Sequence, residues 1–111
     1  MKTIKVSGFD IEIFHKDIET AVDWKTAMRR ADRFHDGSWR LPTISELAVM
    51  NSLFNLGVGN FRPVDYWSSD VVLDNELVWS FEINYGSSAW PWKSSIEKRH
   101  AVRPVRDIIS K

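Results

Sequence analysis

The segment at residues 39–47, WRLPTISEL, constrains the fold of this chain more than any other stretch. Pro42 fixes its own φ and disfavours helix at the residue before it, so the chain must enter the segment extended. Thr43 and Glu46 are spaced as a capping box that opens a helix. Arg40, between two large apolar residues, needs a partner if it is buried. The segment therefore predicts a rigid, extended entry into a helix.

The composition indicates one soluble domain spanning residues 1–111. Six Trp, six Phe and two Tyr can supply a sizeable core for a chain of this length. Fifteen basic and fifteen acidic residues cancel, which disfavours general nucleic-acid binding because that requires an excess of Lys and Arg. The absence of cysteine excludes disulfides, thiolate zinc sites and cysteine nucleophiles.

Nothing in the sequence indicates a membrane. No apolar run reaches transmembrane length, and the first residues lack the apolar stretch of a secretory signal. We therefore expect a cytoplasmic protein with no membrane partner, although a signal that had already been removed would leave the same sequence.

Two helices are predicted from apolar residues at helical spacing. In the first helix these residues are Ala21, Trp24, Ala27, Met28, Ala31 and Phe34. Thr20 or Asp23 can cap its start, and the Asp-Gly pair at 36–37 can end it. The second helix begins after Thr43, carries its apolar stripe on Leu47, Met50 and Phe54, and stops at the glycines 57 and 59.

Strands are predicted where the hydrophobic period is two. Residues 4–13, Phe9 included, form a candidate hairpin around Ser7-Gly8, and residues 67–71 and 77–83 form two strands joined by a tight turn at Asp74-Asn75. Residues 84–99 keep no period and are predicted to be a long loop with at most a short strand. A last strand at 101–106 contains Pro104, which favours an edge or a bulge. Strands, two helices and further strands make an α+β domain.

Five blocks in order resemble one known family. They are DWKTAM at 23–28, WRLPT with EL at 39–47, YWSS at 66–69, VWSF at 78–81 and VRPVR at 102–106. The chain resembles bacterial C-type-lectin-like domains of the Lcl C-terminal type. Formylglycine-generating and related sulfatase-modifying-factor domains share a similar WRLPT segment, so the resemblance extends to a wider superfamily.

The resemblance implies a C-type-lectin-like fold. Two helices would pack on small antiparallel sheets, with the N- and C-terminal strands adjacent and ligands bound at the loop region that maps to residues 84–99. The chain lacks the cysteine pair of formylglycine-generating enzymes. It also lacks the Glu-Pro-Asn or Gln-Pro-Asp loop and the Trp-Asn-Asp of calcium-dependent lectins. We therefore expect no cofactor and no calcium-dependent sugar binding.

Most residues in these blocks are expected to be structural. The set is Trp24, Trp39, Arg40, Pro42, Glu46, Trp67, Trp79, Arg103 and Arg106. The tryptophans lie on predicted apolar faces, where core packing is the expected role. Arg40 could hold an anionic ligand, but pairing with a buried carboxylate or with strand carbonyls suits its planar fork better. Glu46 could act as an acid-base group, but helix capping already accounts for its position.

Other polar residues give no clear site. The three histidines, His15, His35 and His100, match no metal spacing. Asp70, Asp74 and Glu76 could make a weak calcium site, but a solvated turn is the simpler interpretation. A basic run could contact a phosphate or an acidic glycan, or pair with Glu82, Glu97 and Asp107 across strands. It comprises Lys98, Arg99, His100, Arg103 and Arg106.

The candidate contact residues are Tyr85, Trp90, Trp92, Lys93 and Arg99. Aromatic residues on loops can bind a glycan or a protein, or can cover an open end of the core. The leading hypothesis is a non-enzymatic, calcium-independent binding module for a protein or glycan. The alternative is a small assembly protein, of mobile-element or phage type, that forms a homo-oligomer. An enzyme is not expected, because the chain lacks cysteines, a histidine cluster and an acid-base pair.

Overall fold

The last strand of the chain pairs with the N-terminal hairpin, and the two helices lie between them in the sequence. The computed structural model describes residues 2–86 and 89–108, and these form two helices and eight strands in the predicted α+β class. In chain order the elements are β1 (Thr3–Val6), β2 (Ile11–Phe14), β3 (Glu19–Val22), α1 (Trp24–Asp32), α2 (Ile44–Asn55), β4 (Asp65–Leu73), β5 (Leu77–Glu82), β6 (Pro91–Ser95), β7 (His100–Val102) and β8 (Val105–Asp107).

The smaller sheet joins the two ends of the chain in the order β1-β2-β8. The predicted N-terminal hairpin is confirmed, with Ile4 opposite Ile13, and the C-terminal strand pairs with β2, which puts Ile13 opposite Val105. Phe9 was expected on a strand but lies exposed in the turn. The reason is local, because Asp10 takes a positive φ of 52° and reverses the chain at that point.

The larger sheet has the order β3-β7-β4-β5-β6 and is antiparallel except for the β4–β7 pair. Its strand β3 occupies residues that were predicted to start the first helix, Ala21 among them. That helix begins only at Trp24, because the carboxylate of Asp23 accepts the N–H of Thr26 at 2.8 Å and caps it. It ends at Asp32, before the predicted stop at Gly37, and Met28 on its surface is exposed.

The second helix follows the prediction closely. Thr43 is its N-cap, and the capping box with Glu46 is complete. The helix ends at Asn55, and Gly57 follows with a positive φ of 75° while donating its N–H to the carbonyl of Phe54 at 3.0 Å. Among the described residues, neither helix is long and apolar enough to cross a membrane.

The C-terminal third departs from the prediction in one place. The β4–β5 hairpin is confirmed, with Asn75 in the turn at a φ of 60°. Within residues 84–99, the short strand that the prediction allowed is β6 at 91–95, which pairs with β5. The predicted strand at 101–106, however, is two strands in different sheets. Pro104 lies between them, and its carbonyl accepts the N–H of Phe14 at 3.1 Å.

The larger sheet separates two apolar clusters. Neighbouring residues of β4 point to opposite faces, and Tyr66 belongs to one cluster while Trp67 belongs to the other. The first cluster joins the sheet to α2 and to the smaller sheet, and the second joins it to α1. Buried members of the first include Ile11, Ile13, Leu47, Met50, Phe81 and Val105. Buried members of the second include Ala27, Ala31, Leu41, Val78 and Val102.

Candidate binding surface

The strand β6 at the edge of the larger sheet carries two exposed tryptophans. It pairs with β5 along one side, with Trp92 opposite Ser80 and Pro91 opposite Phe81. It is the last strand in the sheet order, so its other backbone edge pairs with no strand in the described part of the chain. Trp90, just before the strand, is 62% exposed, and Trp92 on it is 53% exposed. Aromatic side chains and a free backbone edge therefore occur side by side.

The opposite face of β6 adjoins a shallow apolar hollow. Lys93 lies opposite Trp79 on β5, and its ammonium nitrogen is 5.7 Å from the centroid of the indole ring. The hollow has a volume of about 380 Å³, and Trp79 and Pro91 form part of its lining. Its remaining lining residues are Ile44, Asp70 and Val71. The two faces of one strand thus present different environments, an exposed indole on one and an apolar depression on the other.

Trp79 was predicted to be a core residue and is only half-buried. Helix α2 covers the next residue on the same face of β5, Phe81, which joins Leu47 and Met50 in the first apolar cluster. Because α2 begins at Ile44, Trp79 lies beside the start of the helix instead of beneath it. Trp79 therefore lies at the margin of the core and belongs to neither apolar cluster of the described residues.

The five residues expected to form one contact surface do not lie together. Tyr85 packs on Phe54 of α2, with ring centroids 4.7 Å apart. Arg99 lies beyond the far end of β6, where it lines a separate hollow with Asp23 and Glu97. The candidates that remain on one strand or directly beside it are Trp90, Trp92 and Lys93. The binding surface proposed from the sequence is therefore reduced to β6 and its margin.

The C-terminal basic run does not form a cationic surface. Arg103 is fully buried, and the guanidinium of Arg106 lies 4.8 Å from the ring centroid of Trp39 while pairing with Glu12 at 3.4 Å. None of the described ion pairs joins this run to the expected partners Glu82, Glu97 and Asp107. The expectation failed because these strands cross from one sheet to the other, so each cation meets different neighbours.

Arg103 is held by a buried polar cluster whose acceptor is Asp17. The carboxylate of Asp17 accepts the Nε–H of Arg103 at 3.0 Å, the Nε–H of Arg62 at 2.9 Å and the hydroxyl of Tyr66 at 2.8 Å. Burial raises the pKa of Tyr66 to about 12, so this hydroxyl stays a donor. Arg103 also donates to the carbonyl of Gly59 at 2.6 Å. The cluster therefore ties the segment after α2 to the core.

Sequence reasoning did not identify Asp17. The residue follows an unremarkable polar stretch, and it lies 86 positions before the arginine that it holds. The only sequence signal was indirect, because a buried arginine requires a carboxylate or carbonyl partner somewhere.

Arg40 joins the segment at residues 39–47 to the last strand, β8. Its two terminal nitrogens reach the two carboxylate oxygens of Glu46 at 2.8 and 2.9 Å, and one of them also reaches Asp107 at 2.8 Å. Burial disfavours the charged form of Glu46, but hydrogen bonds from Arg40 and from the backbone of Thr43 outweigh it and lower the pKa of the carboxyl. These contacts fit the structural interpretation of Arg40 and leave Glu46 ionised and fully engaged.

A buried polar row lies on the same face of the sheet as Trp92. His100 Nε2 lies 3.1 Å from the hydroxyl of Ser94, which is 2.8 Å from the hydroxyl of Ser80. Nδ1 of His100 lies 3.8 Å from Asp65, beyond hydrogen-bond distance. Burial lowers the pKa of His100 and raises that of Asp65. The order Asp, His, Ser is that of a catalytic triad, but the hydroxyl is buried and the first contact is too long to orient the imidazole.

The acidic residues near the β4–β5 hairpin are not gathered into a metal site. Asp70 accepts the backbone N–H of Ile44 at 2.7 Å, so its carboxylate caps the start of α2. Within residues 2–86 and 89–108, no three His, Asp or Glu side chains converge as metal ligands.

Comparison of the chain with models of known protein families finds no match, and comparison with curated proteins finds none either. The resemblance to C-type-lectin-like domains therefore stays a prediction. Function has to be inferred from the exposed features of the fold.

Proposed function

We propose that the chain is a non-enzymatic binding module that holds an extended segment of a partner protein along β6. The observation that carries this proposal is the pair Trp90 and Trp92, each more than half exposed beside a backbone edge without a strand partner among the described residues. Large exposed aromatic residues mark contact surfaces, and tryptophan is enriched among the residues that dominate binding energy.

A polypeptide suits this edge because it can add a strand to the sheet. Pro91 has no N–H, and the carbonyl of Ser95 accepts the N–H of Lys98. The main-chain hydrogen bonds would therefore come chiefly from Lys93 in the middle of β6, and alternate side chains of the partner would fall on the two faces. Trp92 would meet one set of partner side chains, and the hollow beside Trp79 and Pro91 would receive the other. Lys93 adds a positive charge near that hollow and would favour an acidic residue in the partner.

The test is selection of short peptides from a random displayed library against the intact chain, followed by affinity measurements on variants. Trp90→Ala with Trp92→Ala should weaken the selected peptides about tenfold or more, because hot-spot aromatics contribute this much when truncated. The matched control is Phe9→Ala with Tyr85→Ala, which removes two exposed aromatic rings away from β6. Equal affinity for the wild type and the β6 variant would contradict the proposal.

A glycan is the other ligand class that two exposed indole faces can serve. A glycan array probed with the wild type and with the same two double variants separates the classes. Glycan capture that requires Trp90 and Trp92, with no peptide selected, would replace the polypeptide proposal.

Self-association is a second candidate, and the same unpaired edge favours it. Two copies of β6 could pair antiparallel and bury the tryptophans of both chains, as exposed sheet edges tend to do. Light scattering on the free chain at micromolar concentration tests this. A dimer that the Trp90→Ala, Trp92→Ala variant converts to monomer supports assembly, and a strict monomer contradicts it.

A further inference from the structure

A third concave region lies at the opposite end of the larger sheet from β6, between β3 and the end of α1. It has a volume of about 530 Å³. Arg29, Arg30 and Arg33 line one side, and Ile18 with Glu19 lines the other. The volume falls within the range of small-molecule sites. None of its lining residues belongs to β6 or adjoins it.

The charge inside this hollow is unbalanced. Arg30 pairs with Glu19, with Nε 3.4 Å from the carboxylate oxygen. Arg29 and Arg33 are one helical turn apart, and neither takes part in any ion pair of the described residues. The end of a helix carries only about half a negative charge, which two free guanidinium groups exceed. Because the whole chain is formally neutral, the excess is a local feature.

The rest of the lining is apolar or aromatic. Phe34 is fixed by edge-on contacts with Trp39 and Phe14, at centroid distances of 5.5 and 4.8 Å. His35 packs against Phe34 at 4.1 Å and adopts a left-handed φ of 52°, which is uncommon for a residue other than glycine. With Ile18, these rings give the hollow a wall for the carbon skeleton of a ligand.

We infer that this hollow binds a small organic molecule through a phosphate group. The guanidinium groups of Arg29 and Arg33 present planar donor forks that match phosphate oxygens. The side chains of Ile18 and Phe34 contact the organic part. The site is open to solvent, which screens the charges, so the affinity is modest and falls as salt is added.

The test is a titration of the isotope-labelled full chain with phenyl phosphate, followed by NMR amide shifts at low salt. We expect saturable shifts centred on residues 29–35. Arg29→Gln with Arg33→Gln should weaken binding about tenfold, because each variant position loses a charge-assisted hydrogen bond. The matched control, Lys25→Gln with Lys98→Gln, removes the same charge from exposed positions outside the hollow, and its affinity should stay within about twofold of the wild type.

Two further probes separate the parts of the site. Inorganic phosphate should bind more weakly than phenyl phosphate, and benzyl alcohol should produce no saturable shift. Equal affinity for the two phosphates would contradict the organic ligand. Equal weakening in both double variants, or shifts that do not saturate, would reduce the site to nonspecific charge attraction and overturn the inference. The Trp90→Ala, Trp92→Ala variant should retain phenyl phosphate binding. The outcome of this test is therefore independent of the function proposed for β6.

Discussion

Trp67 and Trp92 lie in the same row across one sheet, and only Ser80 separates them. Trp67 is fully buried, and its indole N–H donates to the carbonyl of Val22 at 2.7 Å. Trp92 is 53% exposed. The difference lies in what covers the row, because Trp67 packs in one apolar cluster with Ala27 and Ala31 of α1, whereas no apolar cluster of the described residues includes Trp92.

The two ends of the sheet are therefore expected to have different roles, one in stability and the other in binding. A tryptophan beneath a helix stabilises the fold through burial. A tryptophan on an uncovered edge strand contributes less to stability and remains free to contact a partner.

The largest effect is expected at the covered end. Trp67→Ala should lower the free energy of unfolding by about 4 kcal/mol, because it leaves a cavity where a large aromatic side chain was buried. Trp92→Ala should cost about 1 kcal/mol, since only half of that side chain leaves water. Equilibrium urea unfolding of both variants measures the contrast, and comparable losses would break it.

A slightly smaller loss is expected at Asp17. Asp17→Asn should destabilise the chain by about 3 kcal/mol, because it removes the negative charge that balances the buried Arg103. Asp10→Asn changes an exposed carboxylate in a turn and should be nearly neutral. Urea unfolding at neutral pH gives both values. A neutral Asp17→Asn would show that the cluster does not stabilise the fold.

A smaller effect is expected from His100, a member of the buried polar row with Ser94 and Ser80. Burial lowers its pKa in the folded chain below the ordinary value of 6.5. The unfolded chain therefore takes up the proton first as the pH falls below about 6.5, and stability decreases there. His100→Gln should flatten this part of the stability–pH profile. An unchanged slope in His100→Gln would show that the row is open to solvent.

Local signals made α2 predictable, and distant partners made other elements unpredictable. Thr43 and Glu46 predicted the start of α2 because both halves of the capping box lie within one turn. The strand β6 carries no hydrophobic period and exists because β5 offers it hydrogen bonds in register. Sequence reasoning could therefore identify Trp90 and Trp92 as unusual, but it could not place them at a sheet edge.

The burial of strand side chains was also difficult to predict where it depends on whether a helix packs over them. Trp79 and Phe81 alternate with the same period and were expected on one buried face, yet α2 covers only Phe81. Ala21 was assigned to the first helix because it fits the helical spacing, but it lies on β3, whose pairing with β7 becomes visible only in three dimensions. Periodicity gives the face of an element, whereas the packing of distant elements decides whether that face is covered.

The unfolding free energy of the Trp90→Ala, Trp92→Ala variant, measured by urea on the free chain, tests the central claim most directly. If the two indoles belong to a binding edge, their combined loss stays below about 2 kcal/mol. A loss as large as that of Trp67→Ala, about 4 kcal/mol, would show that the pair covers an open end of the core and would contradict the account.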